Sequence, residues 1–166
     1  INCPSDDQGI KIIGRPVTGG IPSQEMHPAI SPDGTRIAFD SNCSGNIEIY
    51  VLDIEDINLS NPHNSFTCSP DDRLTYSATL GIPSRDPVWS PDGTRIAYQH
   101  HSGDNTWKIW VMDALNGGNK RRLTNSTGNI AELEPSWSPD GRQIAFRVMG
   151  CTQEDELYKA NAYQAS

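Results

Sequence analysis

Apolar positions recur along this chain of 166 residues in short alternating runs bounded by turn residues. In "RIAF" from Arg36, "RIAY" from Arg95 and "QIAF" from Gln143, an Ile and an aromatic ring alternate with smaller or polar residues, the period-two pattern of a half-buried strand. Longer runs follow: "IEIYVLD" from Ile47, "WKIWVMD" from Trp107 and "DELYKAN" from Asp155. Each carries an aromatic at the same register, Tyr50, Trp110 and Tyr158. Ahead of the short runs stand "ISPDG" at Ile30, "WSPDG" at Trp89 and "WSPDG" at Trp137. Pro presets φ near −65°, Asp tolerates the bridge region and bonds nearby N–H groups, and Gly accepts positive φ, so SPDG predicts a hairpin loop.

The flanks extend the match. "HPAISPDGTRIAFDS" from His27, "DPVWSPDGTRIAYQH" from Asp86 and "EPSWSPDGRQIAFRV" from Glu134 recur at intervals of 59 and 48 residues, the mark of a repeat architecture. The three units predict strands A to C near 24–53, 84–113 and 132–161. Closing D strands are predicted near 72–76 ("DRLT"), 120–124 ("RRLT") and, at the head of the chain, 10–18 ("IKIIGRPVT"). Four antiparallel strands with a tight first hairpin make a propeller blade. With P-x-W-S-P-D-G, I-A-F, an I-Y-V-M-D-like strand and a closing R-L-T, the units resemble the TolB-type propeller repeat, also found in the propellers of some prolyl-oligopeptidase-like proteases. The resemblance runs from about Ile10 to Asn161. It implies one all-β domain over 1–166, a β-propeller of four-stranded antiparallel blades with three blades in the chain, and SPDG residues that are structural.

The third unit has no D strand after it, whereas Arg15-Pro16-Val17-Thr18 is a D strand without a unit in front. The N-terminal strand is therefore expected to complete the last blade beside Leu157 and Tyr158, in its own chain or a neighbouring one. Closed propellers have four to eight blades, so three do not ring an axis. Three closures are expected: a closed dimer of six blades by strand exchange, an open filament in which the same exchange does not curve back, or the remaining blades of a longer polypeptide. The chain begins at Ile1 rather than Met, as a processed form or a piece of something longer would.

Composition supports the β reading, with 14 glycines and 12 prolines against 20% charged residues. A net charge of −8 and no cationic run beyond the three residues of "NKRRLT" remove the footprint of a nucleic-acid binder. No apolar run approaches the roughly 20 residues of a membrane span, and no signal peptide is recognisable.

Four cysteines without a CxxC pair point to disulfides. Cys43 and Cys151 each follow a B strand, while Cys68 in "CSPDD" and Cys3 in "CPSDD" each precede a D strand, so the duplication pairs Cys43 with Cys68 and Cys3 with Cys151. The first bond closes a long excursion and is worth about 3 kcal/mol in the chain-entropy picture. The second would cross between chains in an assembly. Disulfides imply an extracytoplasmic compartment: periplasm, cell surface or secretion. Asn42, Asn58 and Asn125 head Asn-x-Ser/Thr sequons.

Catalytic motifs are absent: no nucleophile elbow, P-loop, dinucleotide fingerprint or zinc helix. His100 and His101, as strand neighbours, face opposite sides. His27 and His63 stand beside prolines in expected loops, and Glu154, Asp155 and Glu156 form an acidic loop. Trp89, Trp110 and Trp137 are expected to pack, and Trp107 to lie at a blade edge. No metal or cofactor is expected. The function expected is a non-catalytic binding or assembly module whose partners are further copies of itself and, as the TolB resemblance implies, a protein, peptide or glycan at the propeller rim. A subunit of an extracellular fibre is one form of it. The alternative is a catalytic propeller such as a polysaccharide lyase with an axial site.

Overall fold

The structure, a computed structural model, describes residues 23–56, 68–77, 81–101, 106–150 and 156–163. Its strands are β1 (Glu25–Ile30), β2 (Arg36–Ser41), β3 (Glu48–Asp53), β4 (Ser84–Trp89), β5 (Arg95–His101), β6 (Trp107–Asp113), β7 (Arg121–Arg122), β8 (Ala131–Trp137), β9 (Gln143–Met149) and β10 (Glu156–Asn161). They form three antiparallel sheets, β1-β2-β3, β4-β5-β6-β7 and β8-β9-β10. The first strands lie side by side, β1 against β4 and β4 against β8, while the third strands make no comparable contact with one another among the described residues. The sheets therefore fan out from their first strands. No contact of similar extent joins the first sheet to the third, so the fan is open among the described residues.

SPDG forms the expected first hairpin, with Gly34, Gly93 and Gly141 at φ of 74°, 69° and 68°. The Ser, buried at Ser31 and Ser90 and half-buried at Ser138, does more than its place in a turn suggests. Ser31 Oγ donates to Asp33 Oδ1 at 2.5 Å and accepts the Arg36 N–H at 2.9 Å, and Ser90 and Ser138 repeat both bonds in their own sheets. Each Asp also accepts from the backbone of the residue after the Gly. These bonds hold the three carboxyls below the usual carboxylate range, led by the Ser hydroxyl in each case, with Asp33 at about 2.

The fourth strands are shorter than the sequence predicts. β7 has two residues, and in the first sheet the fourth position is a single bridge between Tyr50 and Arg73. Side chains complete the attachment. Leu74 and Leu123 donate their N–H to Ile49 O and Ile109 O, both at 2.8 Å. The hydroxyls of Thr75 and Thr124 accept the N–H of the same two isoleucines at 2.8 and 3.2 Å, and pass their own protons to the buried carboxylates of Glu48 and Glu132. The R-L-T signature is thus an apolar plug followed by a hydroxyl that replaces a ladder bond.

Two apolar cores fill the gaps between sheets. Ala38, Ile49, Leu74, Trp89, Ile96 and Tyr98 pack between the first and second, and Ala97, Ile109, Leu123, Ile144 and Phe146 between the second and third. A lock stands at the hairpin end of each junction. Trp89 Nε1 donates to Ala29 O at 2.9 Å while the Arg36 guanidinium lies 4.7 Å from the Trp89 ring centroid. At the next junction Trp137 Nε1 donates to Val88 O at 3.2 Å beneath Arg95, 4.9 Å from the ring. Each lock takes its arginine and carbonyl from one sheet and its tryptophan from the next.

Trp89→Phe keeps an aromatic ring, though a smaller one, and strands the Ala29 carbonyl, so chemical unfolding should show a loss of at least about 1–2 kcal/mol, with non-additive coupling to Arg36→Ala; strict additivity would remove the lock. The SPDG carboxyls have folded pKa values below their unfolded ones. Their contribution is therefore present above about pH 4 and lost as the pH falls toward about 2. Melting temperature followed over that range should fall, and replacing Asp33, Asp92 and Asp140 by Asn should flatten the fall.

Candidate functional site

Each first strand is interrupted at the same place. The pairing of β1 with β2 slips between Met26 and Ala29, of β4 with β5 between Arg85 and Val88, and of β8 with β9 between Leu133 and Ser136. The residue before the proline takes up the slack in left-handed backbone: His27 at φ 49°, Asp86 at 58° and Glu134 at 56°. Holding a residue other than Gly there costs of order 1–3 kcal/mol, and bulges of this kind re-aim side chains. All three aim at the second strand of their own sheet. His27 Nδ1 meets Asp40 Oδ1 at 2.7 Å, Asp86 accepts from the Gln99 amide, and Glu134 Oε1 accepts from Arg147 at 2.8 Å.

The backbone solution repeats, but the charges do not: imidazole with carboxylate, carboxylate with amide, carboxylate with guanidinium. They form a polar row along the inner edge of the fan. The first pair also joins two sheets, because Asp40 Oδ1 accepts the Asp86 N–H at 3.1 Å. Asp40 has a fully buried side chain, and His27 is 44% exposed. Burial pushes the Asp40 carboxyl above its ordinary range, against the pull of the Asp86 N–H, His27 and Arg85. Its second oxygen, Oδ2, is buried without a hydrogen-bond partner among the described residues. A carboxylate accepts only, so His27 donates to it from Nδ1, a bond that fixes the orientation of the imidazole and turns Nε2 away from Asp40. Among the described residues no three of His, Cys, Asp and Glu converge as a metal site.

A cavity of about 200 Å³ lies between the first and second sheets, lined by Thr75, Ser77, Ser84, His100, Trp110 and Lys120 among others. Ser84 on its wall stands at the register of Glu132, whose carboxylate accepts from Thr124 at the second junction, whereas Thr75 on the cavity wall donates to Glu48. His100 Nδ1 lies 3.0 Å from Ser84 Oγ, and burial lowers the imidazole pKa.

Cys43 and Cys68 form a disulfide with a Cα–Cα distance of 5.9 Å, packed on Phe39 and Tyr50. Cys3, Cys151, Arg15, Pro16, Val17, Thr18 and Asn58 lie outside the described residues, as do His63, Glu154 and Asp155. Asn42 is half-buried, with its side-chain oxygen accepting the Gln24 N–H, and Asn125 is exposed. Leu157 and Tyr158 stand on β10, 80% and 46% exposed. Trp107 is half-buried between the His101 ring and the Arg85 guanidinium. His27, expected in a loop, is part of β1. The signal missed in the sequence was the residue before the repeated proline, His, Asp or Glu, with a polar partner 13 positions on.

No family model and no curated protein sequence matches the chain. Solved structures do. The TolB-type protein of Agrobacterium tumefaciens matches 87% of this chain and 47% of its own at 21% identity, with a TM-score of 0.63. This chain has the fold of TolB-like β-propellers. TolB from Acinetobacter baumannii (22% identity, 88% of this chain, 33% of its own, TM-score 0.52) and an oligogalacturonate lyase in complex with manganese (19%, 84%, 35%, TM-score 0.55) share it. The chain spans about half the length of the Agrobacterium protein and about a third of the other two. TolB proteins and a lyase both stand on this fold.

Asp40→Ala strands the Asp86 N–H and releases His27, so urea unfolding should show a loss of about 1–3 kcal/mol. Asp40→Asn, which keeps an acceptor, should lose clearly less; equal losses would mean that the cross-sheet bond contributes nothing.

Proposed function

We propose that this protein is a non-catalytic extracytoplasmic assembly and binding module, joined to further copies of itself by strand exchange at the edge of β10, which is open among the described residues, as in a closed ring or an extracellular fibre. One observation carries the reading. Leu157 occupies the register of Ile49 and Ile109, which are fully buried under their fourth-strand segments and the next sheet, yet Leu157 is 80% exposed. A covering segment needs an apolar residue followed by Thr, and Val17-Thr18 supplies both. Pro16 then falls at the register of Arg73 and Arg122. In antiparallel pairing that N–H points away from the neighbour when the next residue's N–H points in, and a proline costs no ladder bond there. Cys3 and Cys151, paired across copies, would fasten the donated strand. The Cys43–Cys68 disulfide favours an oxidising compartment. No helix among the described residues is long and apolar enough to cross a membrane.

Native mass should show multiples of the chain, and denaturing gels without reductant should show covalent multimers that Cys3→Ser abolishes and reductant dissolves. Val17→Asp should return the chain to single copies. A single-copy mass at every concentration, with and without reductant, sinks the assembly reading.

The second reading is a catalytic propeller such as a polysaccharide lyase, favoured by the bulged row that lines up His27, Asp86, Glu134 and Arg147. Incubation with oligogalacturonate and manganese should release no unsaturated product; release that disappears in His27→Ala would establish catalysis instead.

A further inference from the structure

The two internal junctions carry the same arginine–tryptophan lock, and the two outer faces of the fan lack the side chains that build it. Where Trp89 and Trp137 insert, the first sheet has Ile30, 64% exposed. Where Arg36 and Arg95 reach forward, the third sheet has an exposed Gln143. Asp40, which accepts the bulge N–H of the following sheet, is matched in register by Arg147, whose guanidinium only donates. The indole and the guanidinium of the lock are thus lost together, one from each end, while the backbone carbonyl that would accept the indole, Ser136 O on the third sheet, remains.

The loss is matched. A guanidinium brought against Ile30 would find no ring, and a tryptophan brought against Gln143 would find no cation. Ile30 against Gln143 leaves no indole and no guanidinium without its partner, and only the Ser136 carbonyl lacks the indole bond that Ala29 O and Val88 O accept. We propose that the outward face of the first sheet and the forward face of the third recognise each other in two copies of this chain, head to tail, through a junction without the arginine–tryptophan lock. The inference rests on the assembly reading above. The same contact serves a closed ring and an open filament, since both repeat one junction. It makes the seam between copies weaker than the junctions within a copy, so an assembly parts between chains before any sheet separates from its neighbour.

Rebuilding the lock tests this. In a Cys3→Ser background, where no bond expected between copies hides the equilibrium, sedimentation equilibrium is measured for Ile30→Trp, Gln143→Arg and both together. Both sites are exposed, so melting curves should match the parent when the variants are dilute. Each single change should shift the association constant by less than about threefold, and the pair should tighten it about tenfold, the coupling of one cation–π contact with its indole bond. If the parent associates and the pair shows no coupling beyond the two single changes, these faces do not meet and the inference is overturned while assembly stands. If parent and variants all remain single copies, the assembly reading falls and this inference with it.

Discussion

Indole donating backward and guanidinium reaching forward set the spacing of everything else. A sheet with one covered face cannot persist alone, and burial between sheets is non-directional, so apolar residues could bring these sheets together at many angles. The Trp89 and Trp137 bonds to Ala29 O and Val88 O choose one. They also bring the first strands side by side, and this alignment places the three bulges in a row. Polar pairs of quite different charge then stand at equivalent points along the inner edge.

Much of this was legible in the sequence because it is written three times. A turn with Pro, Asp and Gly at fixed offsets has one cheap backbone solution, and alternating Ile and aromatic residues fix the strand faces, so the hairpins, strand order and TolB-like fold could be read. What could not be read depends on contacts far apart in the chain. The brevity of the fourth strands follows from Thr75 and Thr124 taking over a ladder bond, which no local pattern announces. His27 looked like a loop residue beside a proline, and only the slip against β2 shows it clamped to Asp40. The cavity beside His100 is lined by Ser84, small where Glu132 at the same register is large, a comparison that requires knowing which positions face each other.

Repetition here conserves geometry while chemistry drifts. Glu48 and Lys108 hold the same register at the start of their third strands, opposite in charge, yet both are buried and both reach the segment after R-L-T. Glu48 accepts the Ser77 N–H, and Lys108 donates to Ser126 Oγ and Ile130 O. A buried charge is tolerated in either sign provided the facing groups are of the complementary kind. The same latitude suits a scaffold shared by TolB proteins and a lyase, because the backbone demands only a clamp at each bulge and leaves its composition open.

The two-residue β7 has a last consequence. An outermost strand anchored by one plug and one hydroxyl is an address only two letters long, so many polypeptides could answer to it. Fidelity in choosing a neighbour has to be written elsewhere on the molecule, and the chain is free to shuffle which stretch of itself plays that part without redesigning the sheet that receives it.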